Sequence, residues 1–92
     1  LSSLIILVDS LYYAEEFKKI INLDKNISYY IKQKPSFRKN LAMTSLYLGT
    51  AYVNTGDIQK GIYHLSIARK YAPSDQQIQY IDNVINQVSS YF

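Results

Sequence analysis

The fold is decided by residues 42–75, which read AMTSLYLGTAYVNTGDIQKGIYHLSIARKYAPSD. Apolar residues recur in this stretch at spacings of three and four, which is the period of a helix buried along one face. Gly56 suits the left-handed conformation that ends a helix, and Asp57 suits the N-cap of the next one. Pro73 then stops the second helix. The stretch therefore predicts a helical hairpin with a very short link between antiparallel helices.

The same periodicity extends toward the N-terminus. It predicts one helix over residues 4–21 and a short second helix over residues 24–33, with Asp24 as its N-cap. Pro35 ends the second helix, and Ser36 is expected to cap the third, which runs into the hairpin described above. No stretch alternates with the period of two that is typical of a strand.

A fifth helix is predicted from Ser74 or Asp75 to the last residue. Its apolar stripe keeps spacings of three and four along one face, opposite a face of Gln, Asn and Ser, as in a helix that caps a repeat stack. The same spacing is also that of a seam through which two copies pair. The residues of the stripe are Ile78, Ile81, Ile85, Val88 and Phe92.

The hairpin resembles a tetratricopeptide repeat (TPR), whose period is 34 residues. Gly49 allows the second helix to approach closely, and Ala68 is small where a following helix packs. The resemblance covers about a third of the chain. It departs from the family pattern at Ser45, where an aromatic residue is usual, at Gly61, where Ala is usual, and at Leu65, which is apolar but not aromatic. The matching residues are Leu48, Gly49, Tyr52, Gly56, Asp57, Leu65, Ala68 and Pro73.

The resemblance implies an all-α fold, a five-helix stack of antiparallel hairpins in an α-α superhelix. One domain over residues 1–92 is expected, and it is expected to be part of a larger chain. Within it, residues 4–34 form a divergent hairpin, residues 36–73 the TPR hairpin and residues 75–92 a capping helix.

TPR arrays are protein-interaction scaffolds, so the resemblance implies that a groove binds a segment of a protein partner. In TPR proteins that grip the terminal carboxylate of large chaperones, Lys and Asn occupy the positions of Leu46 and Thr50, so an apolar or amphipathic segment is expected here. On this hypothesis Leu46→Glu abolishes partner capture without unfolding the domain. The groove residues implied by the resemblance are Met43, Leu46, Thr50, Val53 and Asn54.

Composition excludes several other classes of function. The 92 residues include no Cys and a single histidine, His64, which rules out thiolate metal sites and a cysteine nucleophile. With no glycine-rich phosphate loop either, we expect no enzyme, no metal and no cofactor. A net charge of +3 falls short of the basic stripe typical of nucleic-acid binding.

One basic cluster stands out, and it has two interpretations. Lys32, Lys34, Arg38 and Lys39 surround Pro35. They are a candidate contact for an anionic partner such as phosphate, lipid or an acidic segment. The alternative is a solvated loop between hairpins.

A second function also fits the sequence. Leu4–Val8 is an apolar run, but it is too short to span a bilayer, which needs about 20 residues. It is typical of a buried first helix, and it is also compatible with the end of an anchor that lies upstream. The chain would then be a structural or assembly appendage of a larger membrane-associated or enzyme chain, self-associating through the last helix.

Overall fold

The computed structural model describes residues 1–90. In this part of the chain there are no strands, which confirms the all-α prediction, and six α-helices replace the five that were predicted. A turn of 3-10 helix occupies Pro35–Phe37. The helices are α1 (Ser2–Tyr13), α2 (Phe17–Ile21), α3 (Asp24–Gln33), α4 (Ala42–Asn54), α5 (Ile58–Tyr71) and α6 (Asp75–Ser89).

The N-terminal boundaries differ from the prediction for local reasons. The long first helix breaks because Glu15 adopts φ 58°, a left-handed conformation that turns the chain between α1 and α2. Ser36 does not cap a helix, since it lies in the 3-10 turn, and α4 begins only at Ala42. Asp24 is the first residue of α3 rather than its N-cap, so its carboxylate is free for contacts with other helices.

The α4–α5 hairpin has the predicted construction. Gly56 adopts φ 97°, and the Asp57 side chain accepts a hydrogen bond from the Lys60 N–H at 3.2 Å. A Cβ on Gly49 would lie 2.8 Å from the Gly61 carbonyl oxygen. Since no side chain fits in that space, Gly49 sets how closely α4 and α5 pack.

The α1–α2 turn repeats the hydrogen bonds of the α4–α5 turn. The Glu16 N–H donates to the Leu11 carbonyl at 2.9 Å, as the Asp57 N–H donates to the Tyr52 carbonyl at 2.9 Å. Each acidic residue also pairs with the lysine three positions later, at 3.7 and 3.9 Å. Glu15 takes the left-handed position in the first turn. The chain therefore contains two helix–turn–helix units closed in the same way.

Helix α4 is the centre of the core. It packs against α1, α2, α3 and α5, whereas α6 packs against α5. Ile81 and Val88 of α6 are buried in that contact, and Ile78 and Ile85 are half-buried. Phe92, the last residue of the predicted stripe, lies outside the described residues. None of the helices described is both long and apolar enough for a membrane span.

Candidate functional site

One of the five predicted groove residues, Leu46, belongs to the interior, and a second, Val53, is half-buried against α5. Leu46 is only 1% exposed, because α4 is surrounded by other helices on several sides. Its assignment to an open groove is therefore corrected, and Leu46→Glu would place a charge in the core and unfold the domain. Val53 is directed toward α5, where its Cγ2 lies 2.5 Å from the position of a Cβ on Gly61.

The other three predicted residues are half-buried or exposed. Met43 is half-buried and packs against the core, and Thr50 is half-buried as well. Asn54 is exposed, and its side-chain amide donates to the Thr50 carbonyl at 2.9 Å. The structure thus leaves only part of the predicted set available to a partner.

Aromatic side chains of α1 and α4 pack together instead, and the phenol of a tyrosine on α6 lies near them. Tyr12 of α1 stacks on Tyr47 of α4 with ring centroids 4.1 Å apart and planes at 21°. Tyr13 meets Tyr47 edge-on at 6.5 Å. Tyr80 of α6 is close enough to Tyr12 to act on its pKa. We call Tyr12, Tyr13, Tyr47 and Tyr80 the tyrosine face.

The tyrosine face has a buried ring at its centre and exposed rings at its edge. Tyr47 is buried, while Tyr13 is 77% and Tyr80 49% exposed. Burial raises the pKa of Tyr12, and the phenols of Tyr80 and Tyr13 raise it further. Burial and then Tyr13 likewise raise the pKa of Tyr47. The hydroxyls of Tyr12 and Tyr47 therefore stay neutral at physiological pH. The face offers apolar ring area together with hydrogen-bonding groups.

Sequence reasoning missed these residues as a site. The chain has ten tyrosines, and this abundance is the signal that the sequence offers for such a site. Tyr12 and Tyr80 lie far apart in sequence, so only the arrangement of the helices brings them together.

The basic cluster is divided by the structure. The Arg38 Nε donates to the Ile31 carbonyl at 2.8 Å, and its guanidinium lies 5.2 Å from the Tyr71 ring centroid. Arg38 thus ties the end of α3 to the end of α5. Lys34 and Lys39 are exposed. Lys32, also exposed, borders a cavity between α3 and α5.

A polar junction forms part of the lining of that cavity. Asp24 accepts hydrogen bonds from the hydroxyl of Tyr52 and from that of Ser28, the latter at 2.7 Å. Its Oδ2 lies 3.6 Å from Nε2 of His64, which is 4% exposed. The imidazole also stacks on Tyr52, with centroids 5.5 Å apart and planes at 8°. The junction therefore joins α3 to both helices of the α4–α5 hairpin.

The junction shifts the ionisation of its members. Burial lowers the pKa of His64, and the nearby Asp24 carboxylate only partly opposes this. Burial acts to raise the pKa of Asp24, but the Tyr52 and Ser28 hydroxyls and His64 outweigh it and hold the pKa below its ordinary value. Burial and the Asp24 hydrogen bond raise the pKa of Tyr52. At neutral pH the junction is a carboxylate held by neutral donors.

Neither a metal cluster nor a family match accompanies this geometry. Across residues 1–90, no group of three or more His, Asp or Glu side chains is placed to hold a metal ion. Comparisons with protein-family models, curated proteins and solved structures found no significant match.

Proposed function

We propose that this chain is a TPR-like helical module that binds a segment of a partner protein through the tyrosine face, without catalysis. The observation that carries the proposal is the packing of Tyr12 and Tyr13 of α1 on Tyr47 of α4, with the phenol of Tyr80 of α6 near enough to raise the pKa of Tyr12. Tyrosine is enriched at protein interfaces because its ring supplies large contact area at a low entropic cost.

The construction of the chain supports the TPR-like part of the proposal. Two helix–turn–helix units are closed by the same hydrogen bonds, and a further helix follows. In such stacks alternate helices share one surface. We count α2 and α3 together as the second half of the first unit. The alternate helices of the chain are then α1, α4 and α6. The tyrosines of the face come from these three helices.

The test is affinity capture from the organism that encodes the chain, with three baits compared by mass spectrometry. The wild type is expected to retain one dominant protein, and the Tyr13→Ala/Tyr80→Ala variant is expected to lose it. Tyr29→Ala is the matched control, because Tyr29 is 55% exposed on α3 and lies outside the tyrosine face. Retention by all three baits, or by none, would contradict the proposal.

A second candidate, the structural appendage of a larger chain, is favoured by one observation. Ile6 and Leu7 of α1 are exposed apolar side chains, which suits contact with another domain or with an apolar anchor upstream. Self-association through α6 draws less support, because Ile81 and Val88 are already buried within the chain. Sedimentation at increasing concentration tests it, and a constant monomer mass would exclude self-association.

A further inference from the structure

A groove between α3 and α5 has the features of a second binding site. It contains a cavity of about 320 Å³, within the size range of ligand pockets. Ile31 of α3 and Ile67 of α5 line it with apolar surface, and Tyr63, which is exposed, stands at its edge. The Asp24–His64 junction supplies polar atoms to the lining. We call this surface the α3–α5 groove.

The charges around the groove are unequal. Lys32 and Lys60 line the cavity, and Lys25 lines a neighbouring cavity of about 520 Å³ that shares Asp24 and Lys60 with the first. Asp24 is the one acidic residue in the lining of both cavities, and its oxygens already accept from two hydroxyls. Lys60 has a long 3.9 Å contact with Asp57, outside the cavity lining, and its side chain stays 64% exposed. Positive charge therefore predominates at the rim.

We infer that the α3–α5 groove binds an acidic amphipathic peptide segment. An apolar side chain of the segment would fill the space between Ile31 and Ile67, and its carboxylates would pair with Lys32 and Lys60. Such a segment matches the groove in both apolar surface and charge. The apolar lining favours an apolar side chain, and the lysines at the rim favour carboxylates. The inference goes beyond the proposed function, since the groove and the tyrosine face have no residue in common.

The probe is a fluorescein-labelled helical peptide of Leu, Glu and Ala, followed by anisotropy and by amide chemical shifts of the ¹⁵N-labelled chain. Binding is expected to shift the amide signals of Lys32, Lys60 and Ile67. The Lys32→Glu/Lys60→Glu variant is expected to bind at least about tenfold more weakly, because two charge pairs become repulsions. The Lys18→Glu/Lys19→Glu variant carries the same change in net charge on α2 and is expected to bind like the wild type.

Two control peptides and one further variant separate the parts of the inference. A peptide with Lys in place of Glu is expected to bind poorly to the wild type and better to Lys32→Glu/Lys60→Glu. A peptide with Ala in place of Leu is expected to lose binding. Tyr13→Ala/Tyr80→Ala is expected to bind the Leu–Glu peptide normally, so loss of the proposed tyrosine-face function would leave this result unchanged. No binding to the wild type, equal loss in both lysine variants, or full binding of either control peptide would overturn the inference.

Discussion

Glu15 is the residue whose conformation is least favourable for its type. It holds φ 58° in a turn whose counterpart is closed by Gly56 at φ 97°. A side chain in the left-handed region costs roughly 1–2 kcal/mol, whereas glycine adopts it readily.

We therefore expect Glu15→Gly to raise the free energy of unfolding by about 1 kcal/mol. Gly56→Ala is expected to lower it by a similar amount, although a Cβ there has open space. Urea denaturation monitored by circular dichroism measures both. A Glu15→Gly protein no more stable than the wild type would show that Glu15 does not hold this conformation in solution.

Gly49 differs from Glu15, because the residue already present is the one that the structure requires. Glycine has a poor helix propensity, but no side chain fits at this position. An alanine Cβ would lie 2.8 Å from the Gly61 carbonyl oxygen and 2.9 Å from Leu65 Cγ. We expect Gly49→Ala to destabilise by about 1–3 kcal/mol, outweighing a propensity gain of about 1 kcal/mol. Thr50→Ala, on the same helix and half-buried, is the control and is expected to change the denaturation midpoint little.

The sequence indicates the structural roles of some of these residues but not of others, and the difference has a physical cause. Gly49, Gly56 and Asp57 act through local sterics and capping, so their residue types indicate their roles. Glu15 leaves no such signal, because nothing in a Glu side chain marks a positive φ. The burial of Leu46 could not be predicted either, since it depends on which helices surround α4.

Helix α3 is held to the hairpin by a junction whose strength depends on pH. His64 has a pKa below its ordinary 6.5, so the folded state binds fewer protons than the unfolded state as pH falls through 6.5. Asp24 has a pKa below 3.8, so its stabilisation is present above that value and is lost as pH falls through the folded pKa. Both groups make acid destabilising.

We expect the free energy of unfolding to fall between pH 7 and pH 5, with His64 contributing most of the slope in this range. His64→Gln removes the titrating group and is expected to flatten the dependence there, even if its stability at pH 7 is lower. Denaturation series at several pH values measure the two slopes. Equal slopes for both proteins would show that His64 does not remain buried and neutral.

The sequence predicts contacts within a helix better than contacts between helices. Ser74 caps α6 as predicted, with the Gln77 N–H donating to its hydroxyl at 3.3 Å. Asp24 was predicted as a cap, because its position before an apolar pattern fits that role. In the structure Asp24 instead contacts Tyr52 of α4 and His64 of α5. No local sequence pattern predicts a contact between distant helices.

At the scale of the molecule, residues 1–90 present two surfaces of different chemistry, the aromatic tyrosine face and the lysine-bordered α3–α5 groove. The all-α class and the antiparallel α4–α5 hairpin followed from periodicity and turn residues. Neither surface could be predicted from these signals, because each is formed by helices that are distant in sequence.

The most direct measurement is site-specific photocrosslinking. The photoreactive amino acid p-benzoylphenylalanine replaces Tyr13, Tyr80 or, as the control, Tyr29, and each protein is irradiated in extract of the organism that encodes the chain. Binding at the tyrosine face predicts the same crosslinked protein from positions 13 and 80 and none from position 29. Adducts from position 29 alone, or no adduct from positions 13 and 80, would contradict a partner on this face.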